Sequence, residues 1–155
     1  MPVQVLKNFL DQNGVKYVVI SHSPAFTAQE IAAKAHVSGQ ELAKTVIVKI
    51  DDRLAMAVLP ASQKVDLQQM EQAIGTRRIE IAEEEEFRSR FPECDLGAMP
   101  PFGNLYGMDV YVSDNLIEDV EIAFNAGSFT ELIKLAYSDF ERLVRPRVLH
   151  FAARV

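Results

Sequence analysis

Three places in this chain have the residue types and spacing to do chemistry. Lys44 stands between the apolar pair Leu42-Ala43 and the β-branched run Thr45-Val46-Ile47-Val48. On composition alone it is a surface lysine at a strand start. That position also suits an ammonium that points into a cleft and holds a phosphate. The stretch Asn125-Ala126-Gly127-Ser128-Phe129-Thr130 gathers amide, hydroxyl and backbone donors in one tight turn, although an ordinary hairpin would use the same residues. Asp95-Leu96-Gly97-Ala98-Met99-Pro100-Pro101-Phe102-Gly103 joins two glycines to two adjacent prolines. Proline fixes φ and glycine opens conformations that other residues avoid. The segment therefore reads as a stiff, shaped loop whose exposed backbone can meet a ligand.

Conventional catalytic sets are missing. His22, His36 and His150 fall in separate elements with no metal-ligand spacing. Cys94 is a lone thiol beside the glycine-proline loop and reads as a small hydrophobe rather than a nucleophile. There is no Gly-x-Ser-x-Gly elbow and no phosphate loop ending in Gly-Lys-Ser/Thr. Residues 83–86, all glutamate, read as a solvated helix start favoured by the macrodipole. Asp109, Asp114 and Asp119 read as turn and strand-end carboxylates.

The elements that must position these residues alternate along the chain. Val5, Leu6, Phe9 and Leu10 recur at helical spacing over residues 3–13, and Gly14 stands where a C-terminal cap belongs. Residues 17–20 form a β-rich run. Thr27-Ala28-Gln29-Glu30 is a capping box that starts a helix, and Ser38-Gly39-Gln40-Glu41 repeats the signature before a short turn. Residues 45–50 and 54–59 flank Asp51-Asp52-Arg53 as a hairpin. Helices are expected over 66–74, closed by Gly75, over 83–91 and over 138–144. Strands are expected over 78–81, 108–112, 120–124 and 132–136. Short strands interleaved with helices mean a mixed sheet in an α/β or α+β chain.

Composition narrows the classes. The 155 residues suffice for one domain with a real core. Apolar residues make up 48% and charged residues 25%, ordinary values for a soluble globular protein. No apolar run reaches the roughly 18 residues of a membrane span, and the N-terminus lacks signal-peptide form. With one cysteine there is no internal disulfide and no multi-cysteine zinc site. A cytoplasmic location follows as an expectation. The net charge of −6 argues against non-specific coating of nucleic acid or duplex-DNA binding, but leaves room for a local basic patch.

The chain resembles the YbaK/prolyl-tRNA-synthetase-associated editing-domain family of free-standing aminoacyl-tRNA deacylases. Four ordered segments carry the resemblance. They are His22-Ser23-Pro24-Ala25-Phe26-Thr27-Ala28-Gln29-Glu30, Glu41-Leu42-Ala43-Lys44-Thr45, the Gly-x-x-x-Pro segment from Gly97 to Pro101 with Phe102-Gly103, and Asn125-Ala126-Gly127-Ser128 with Thr130-Glu131-Leu132. The likeness spans residues 3–144. It implies a single domain over residues 1–155, with a mixed sheet that is partly closed and flanked by helices. It also implies an enzyme of translation fidelity that hydrolyses mischarged aminoacyl-tRNA.

By that resemblance Lys44 anchors the terminal nucleotide, and Gly97 and Pro101 position the aminoacyl group through backbone atoms. Thr45, Phe102, Gly103, Asn125, Ala126, Gly127, Ser128 and Thr130 belong to the substrate-binding walls. The family uses neither metal nor cofactor. Water attacks, assisted by the substrate's own ribose hydroxyl. The expected partners are the tRNA acceptor end and an aminoacyl-tRNA synthetase, with no membrane. Lys44, Lys49, Lys64, Arg77 and Arg78 are the candidate tRNA-gripping cations, and Ile47, Met56 and Val58 are either core or pocket lining. Members often carry a histidine after the Gly-Ser pair, where this chain has Phe129. Some alanine-selective members have asparagine where it has Thr45. The resemblance leaves the amino acid removed open. A non-catalytic nucleotide- or synthetase-binding module on the same fold is the alternative.

If neither a thiol nor a metal takes part, Cys94→Ala and exhaustive chelation each leave deacylation close to wild type. A large loss under either treatment contradicts this expectation.

Overall fold

The computed structural model describes residues 3–23, 30, 42–76, 78–117 and 120–154. The second capping signature at residues 38–41, His36, Arg77 and Asp119 lie outside the described residues, as does the first capping box except Glu30.

Helix α1 (Gln4–Gln12) buries Leu6 and Leu10 on one face. Strand β1 (Tyr17–Ser21) follows. Strands β2 (Leu42–Ile50) and β3 (Arg53–Pro60) form the expected hairpin. Its loop is tighter than expected, because Arg53 already pairs with Ile50. Asp51 and Asp52 take φ of +48° and +70°, the mirror-image turn whose twist suits a two-residue connection. Strand β4 (Gln63–Val65) leads into α2 (Leu67–Ile74). The Asp66 carboxylate caps that helix by accepting from the Gln69 amide at 3.1 Å, and Gly75 closes it at φ +82°. Strand β5 (Ile79–Ile81) and helix α3 (Glu84–Phe87) precede a 3-10 turn at Arg88–Arg90. The tail of the expected 83–91 helix is thus this tighter turn. Beyond the glycine-proline loop come β6 (Asp109–Ser113), β7 (Glu121–Asn125), β8 (Glu131–Ala136), α4 (Tyr137–Val144), β9 (Arg147–Leu149) and β10 (Ala152–Arg154).

The main sheet is mixed, in the order β1-β8-β7-β2-β3-β6-β9, with β5 also paired to β2; β4 and β10 form a separate pair. The β2/β7, β3/β6 and β6/β9 pairs are parallel. One expectation is corrected here. The sheet is not partly closed: its end strands β1 and β9 do not pair with each other. Closure requires the two edges to meet in register.

Apolar side chains fill both faces. Ala43, Ile47, Met56, Val58, Phe124 and Ile133 pack with α1, α4 and the loop residues Met99 and Phe102. Ile47, Met56 and Val58 are therefore core residues rather than pocket lining. Val48, Ala57, Leu59, Met70 and Phe151 fill the opposite face. Phe102 is fully buried, with ring centroids 6.2 Å from Phe9, 5.6 Å from Phe124 and 5.7 Å from Phe140. This aromatic contact ties α1, β7 and α4 to the end of the glycine-proline loop.

Gly103 sits just beyond that anchor. A Cβ there would lie 2.5 Å from the Met108 carbonyl oxygen and 2.6 Å from Val110 Cγ2. Gly103→Ala must therefore shift backbone. Such overpacking costs about 1–3 kcal/mol, a fall in Tm on the order of 5 °C or more. An unchanged melting curve contradicts that packing.

Candidate active site

Strand β2 changes partner along one of its edges. The parallel pairing with β7 covers only Leu42–Ala123 and Ala43–Phe124. The antiparallel pairing with β5 begins at Val48, and the Ala82 amide donates to the Ile47 carbonyl at 2.9 Å. Among the described residues, no strand pairs with Lys44, Thr45 or Val46 on this edge. A two-residue alternation turns the Thr45 amide and carbonyl the same way as the Ile47 carbonyl, into the split. A sheet that parts where strand order changes leaves a crevice suited to a ligand.

Lys44 is half-buried beside this split. Among the described residues no carboxylate pairs with it. Burial alone pushes its ammonium below the usual lysine pKa. A desolvated, unpaired cation is favoured by an incoming anion, which restores the lost solvation. Asn125 follows Phe124 on β7 as Lys44 follows Ala43 on β2, so the two residues leave the last ladder rung side by side.

Two loops form the adjoining wall. The Asp95 amide donates to the Gly127 carbonyl at 2.8 Å, and the Gly127 amide donates to the Ala98 carbonyl at 2.9 Å. The Phe129 amide donates to Asp95 Oδ2 at 3.3 Å. The Val3 amide donates to the Ala126 carbonyl at 3.0 Å, fastening the chain start behind the second loop. Gly127 takes φ +100°, and a Cβ there would lie 3.1 Å from Val3 Cβ. Gly97 takes φ +97° and is exposed, and its amide meets only the thioether of Met99, a weak acceptor, at 3.1 Å. A stronger acceptor on a ligand can displace so weak a partner from this amide. The Ser128 and Thr130 hydroxyls lie 3.3 Å apart at the rim.

The expected site residues thus divide. Lys44, Asn125, Ser128 and Thr130 are half-buried, and Gly97 is exposed. Thr45, Pro101, Phe102, Gly103, Ala126 and Gly127 are buried, so they offer backbone or support rather than exposed side chains. Asp95 carried no assigned role in the sequence, yet it clamps one loop to the other through both its amide and its carboxylate. An aspartate two residues before a loop glycine was the available signal. Cys94 is half-buried, with Sγ 3.7 Å from the Tyr106 hydroxyl. Burial pushes its thiol pKa up, which disfavours a thiolate nucleophile. Among the described residues, no three His, Cys, Asp or Glu side chains gather as metal ligands. Lys49 is paired with Glu86 at 2.6 Å and Glu80 at 3.8 Å, and Arg78 with Glu80 at 2.9 Å, so both are already engaged.

The sequence profile of the aminoacyl-tRNA editing domain matches residues 22–143, which include the Lys44 strand and both loops. The chain belongs to this family. It is 28% identical over 153 residues to the multifunctional Ser/Thr-tRNA deacylase ProXp-y of Escherichia coli (strain K12), covering 96% of this chain and 91% of that protein. It is 23% identical over 142 residues to the prolyl-tRNA editing protein ProX of Acetoanaerobium sticklandii, covering 88% and 86%. A solved structure described as a candidate trans-editing enzyme for prolyl-tRNA synthetase superposes with a TM-score of 0.81 at 18% identity, covering 96% of this chain and 94% of that one. That likeness concerns the fold. No described helix of this editing domain is long and apolar enough to cross a membrane.

In this editing domain a Cβ on Gly97 would lie 3.1 Å from Phe129 Cζ, at the end of a side chain that is 46% exposed. Gly97→Ala therefore combines backbone strain, about 1–2 kcal/mol, with displacement of an aromatic ring that has room to move. In a double-mutant cycle with Phe129→Ala, the packing part disappears and the strain remains. Gly97→Ala lowers deacylation by more than the unfolded fraction explains, and by more than Pro101→Ala does. Full activity in stable Gly97→Ala protein removes this loop from the site.

Proposed function

We propose that this chain is a trans-editing deacylase, which hydrolyses the ester between a wrongly attached amino acid and the 3′ end of a tRNA. The half-buried Lys44 ammonium, with no carboxylate partner among the described residues and beside the split in β2, carries this reading. It suits the phosphate or ribose of the terminal nucleotide. The aminoacyl group then lies against the wall built by residues 95–98 and 125–130. The Gly97 amide, held only by the weakly accepting Met99 thioether, exchanges that contact for the ester carbonyl oxygen as that oxygen gains negative charge. Asn125, Ser128 and Thr130 orient the amino acid, and Thr45 turns its backbone toward the same crevice.

Water adds to the carbonyl carbon and the ribose oxygen leaves. The neighbouring hydroxyl of the same ribose takes the water's proton and relays it to the leaving oxygen. An ester is already an activated acyl group, so positioning and electrostatic stabilisation supply the acceleration without a protein nucleophile. Phe129 gives the rim an apolar face, and a synthetase that misacylates the tRNA is the upstream partner. The relatives' names place serine, threonine and mischarged prolyl-tRNA in the first test panel.

The test is a deacylation panel of mischarged tRNAs with wild type and Lys44→Ala. Wild type clears at least one member. Lys44→Ala loses about 2–4 kcal/mol of transition-state stabilisation, roughly 30- to 1,000-fold in kcat/KM, at nearly unchanged Tm. Tight tRNA binding without turnover of any ester indicates a non-catalytic module instead. Unaltered turnover in folded Lys44→Ala returns that residue to the surface.

A further inference from the structure

The cations of this acidic chain fall into two groups. Lys49, Arg78, Arg88 and Arg142 each stand within 4.0 Å of a carboxylate. Among the described residues Arg145 and Arg147 have no such partner, and both are exposed. After Glu141 the sequence holds four arginines, Arg142, Arg145, Arg147 and Arg154, and no Asp or Glu. In a chain whose overall net charge is −6, this segment is a local positive island.

Two clefts meet at Arg145. One, of about 750 Å³, is lined by Tyr137, Arg142, Arg145 and Val148 among others. The other, of about 510 Å³, is lined by Asn104, Gly107, Arg145 and Arg147 among others. Glu141 borders the first and Asp109 the second, so the grip is cationic but not strong. A third cleft of about 640 Å³ at the hairpin tip offers no comparable excess, since Lys49, Arg53 and Arg90 face Asp51, Asp52, Glu86 and Asp109.

One further observation points to a ligand at the Arg145 junction. Arg145 takes φ +53° and ψ +57° at the end of α4, where glycine is the usual residue. A long cation held in that conformation is a strained residue kept despite its cost. Tyr137 lines the first cleft, but its hydroxyl is buried beneath the surface with Glu141 nearby, so it belongs to the floor of the cleft rather than to a phosphate site.

The junction is also within reach of the candidate site. Val120, in the first cleft, accepts the Tyr137 amide through its carbonyl and directly precedes β7. Asn125, at the other end of β7, borders the Lys44 split. Five residues at about 3.3 Å each span roughly 16 Å, the length of a few nucleotides of a strand.

We propose that Arg145 and Arg147 receive the phosphate backbone of the base-paired acceptor arm while the esterified end lies at Lys44. This rests on the deacylase reading and gives it a second, sequence-independent contact.

The experiment compares kcat/KM on intact mischarged tRNA with kcat/KM on the aminoacylated 3′-terminal nucleotides alone, across a salt series. Arg145→Glu/Arg147→Glu lowers the value for intact tRNA about tenfold at low salt and shrinks the salt slope by about 2, while the short substrate is unaffected. Arg145→Gly relieves the strained φ, so it raises Tm yet still weakens action on intact tRNA. Equal losses on both substrates, or no loss on either, overturn the proposal. A loss seen only when a synthetase is present overturns it too, in favour of a protein-docking surface. Should wild type hydrolyse neither substrate, the deacylase reading fails by itself. Gel retardation of uncharged tRNA by wild type and the double variant then decides, and equal retardation overturns the proposal.

Discussion

The reciprocal backbone bonds between the 95–98 and 125–130 loops are the constraint on which the site depends. The Asp95 amide to Gly127 carbonyl and Gly127 amide to Ala98 carbonyl bonds make two loops, distant in sequence, into one wall. Neither bond uses a side chain. They require Gly127 at φ +100°, where a side chain would also meet Val3, and a first loop whose course is set by two prolines. Phe102 fixes the far end of that loop among Phe9, Phe124 and Phe140, so the exposed part carrying Gly97 is held from both sides. Rigid backbone placed this way acts on substrate with little ordering cost at the moment of reaction.

The parting of β2 gives that wall its cation. If β7 continued alongside β2 past Ala43, the Lys44–Val46 edge would be consumed by ladder hydrogen bonds. If β5 joined earlier, the same would follow. Between them lies a short stretch whose lysine is desolvated without being neutralised. On the proposed reading, an acidic protein thereby offers a polyanion one concentrated contact at the reacting end. The arginines after Glu141 supply charge elsewhere, away from the paired Lys49 and Arg78.

Much of this was legible in the sequence, for stated reasons. The Gly75 terminator and the hairpin at Asp51-Asp52 are local signals and formed where they were expected, while Asp66 caps the helix it was expected to begin and Arg53 joins the ladder rather than the turn. The glycine-proline loop and the Asn125–Thr130 connection were visible as composition. Their mutual bonding was not, because no local pattern encodes a contact between residues about thirty apart. Strands β4, β9 and β10 were missed, since three-residue strands have too little alternation to be seen and here depend on tertiary pairing. Lys49 looked like a free cation because Glu80 and Glu86 reach it only once β5 and α3 pack against β2, whereas Arg78 pairs with Glu80 two residues along. The partly closed sheet came from resemblance rather than from the residues, and the unpaired edges of β1 and β9 corrected it.

The most direct measurement is an NMR titration with a non-hydrolysable amide analogue of the aminoacylated terminal adenosine, followed through the backbone amides. The largest shifts are expected at Lys44 and Thr45, at Gly97 and Ala98, and over residues 125–130, all saturating with one affinity. Shifts confined to the hairpin-tip cleft around Lys49 and Asp52, or no shift at the Gly97 amide, would contradict that expectation.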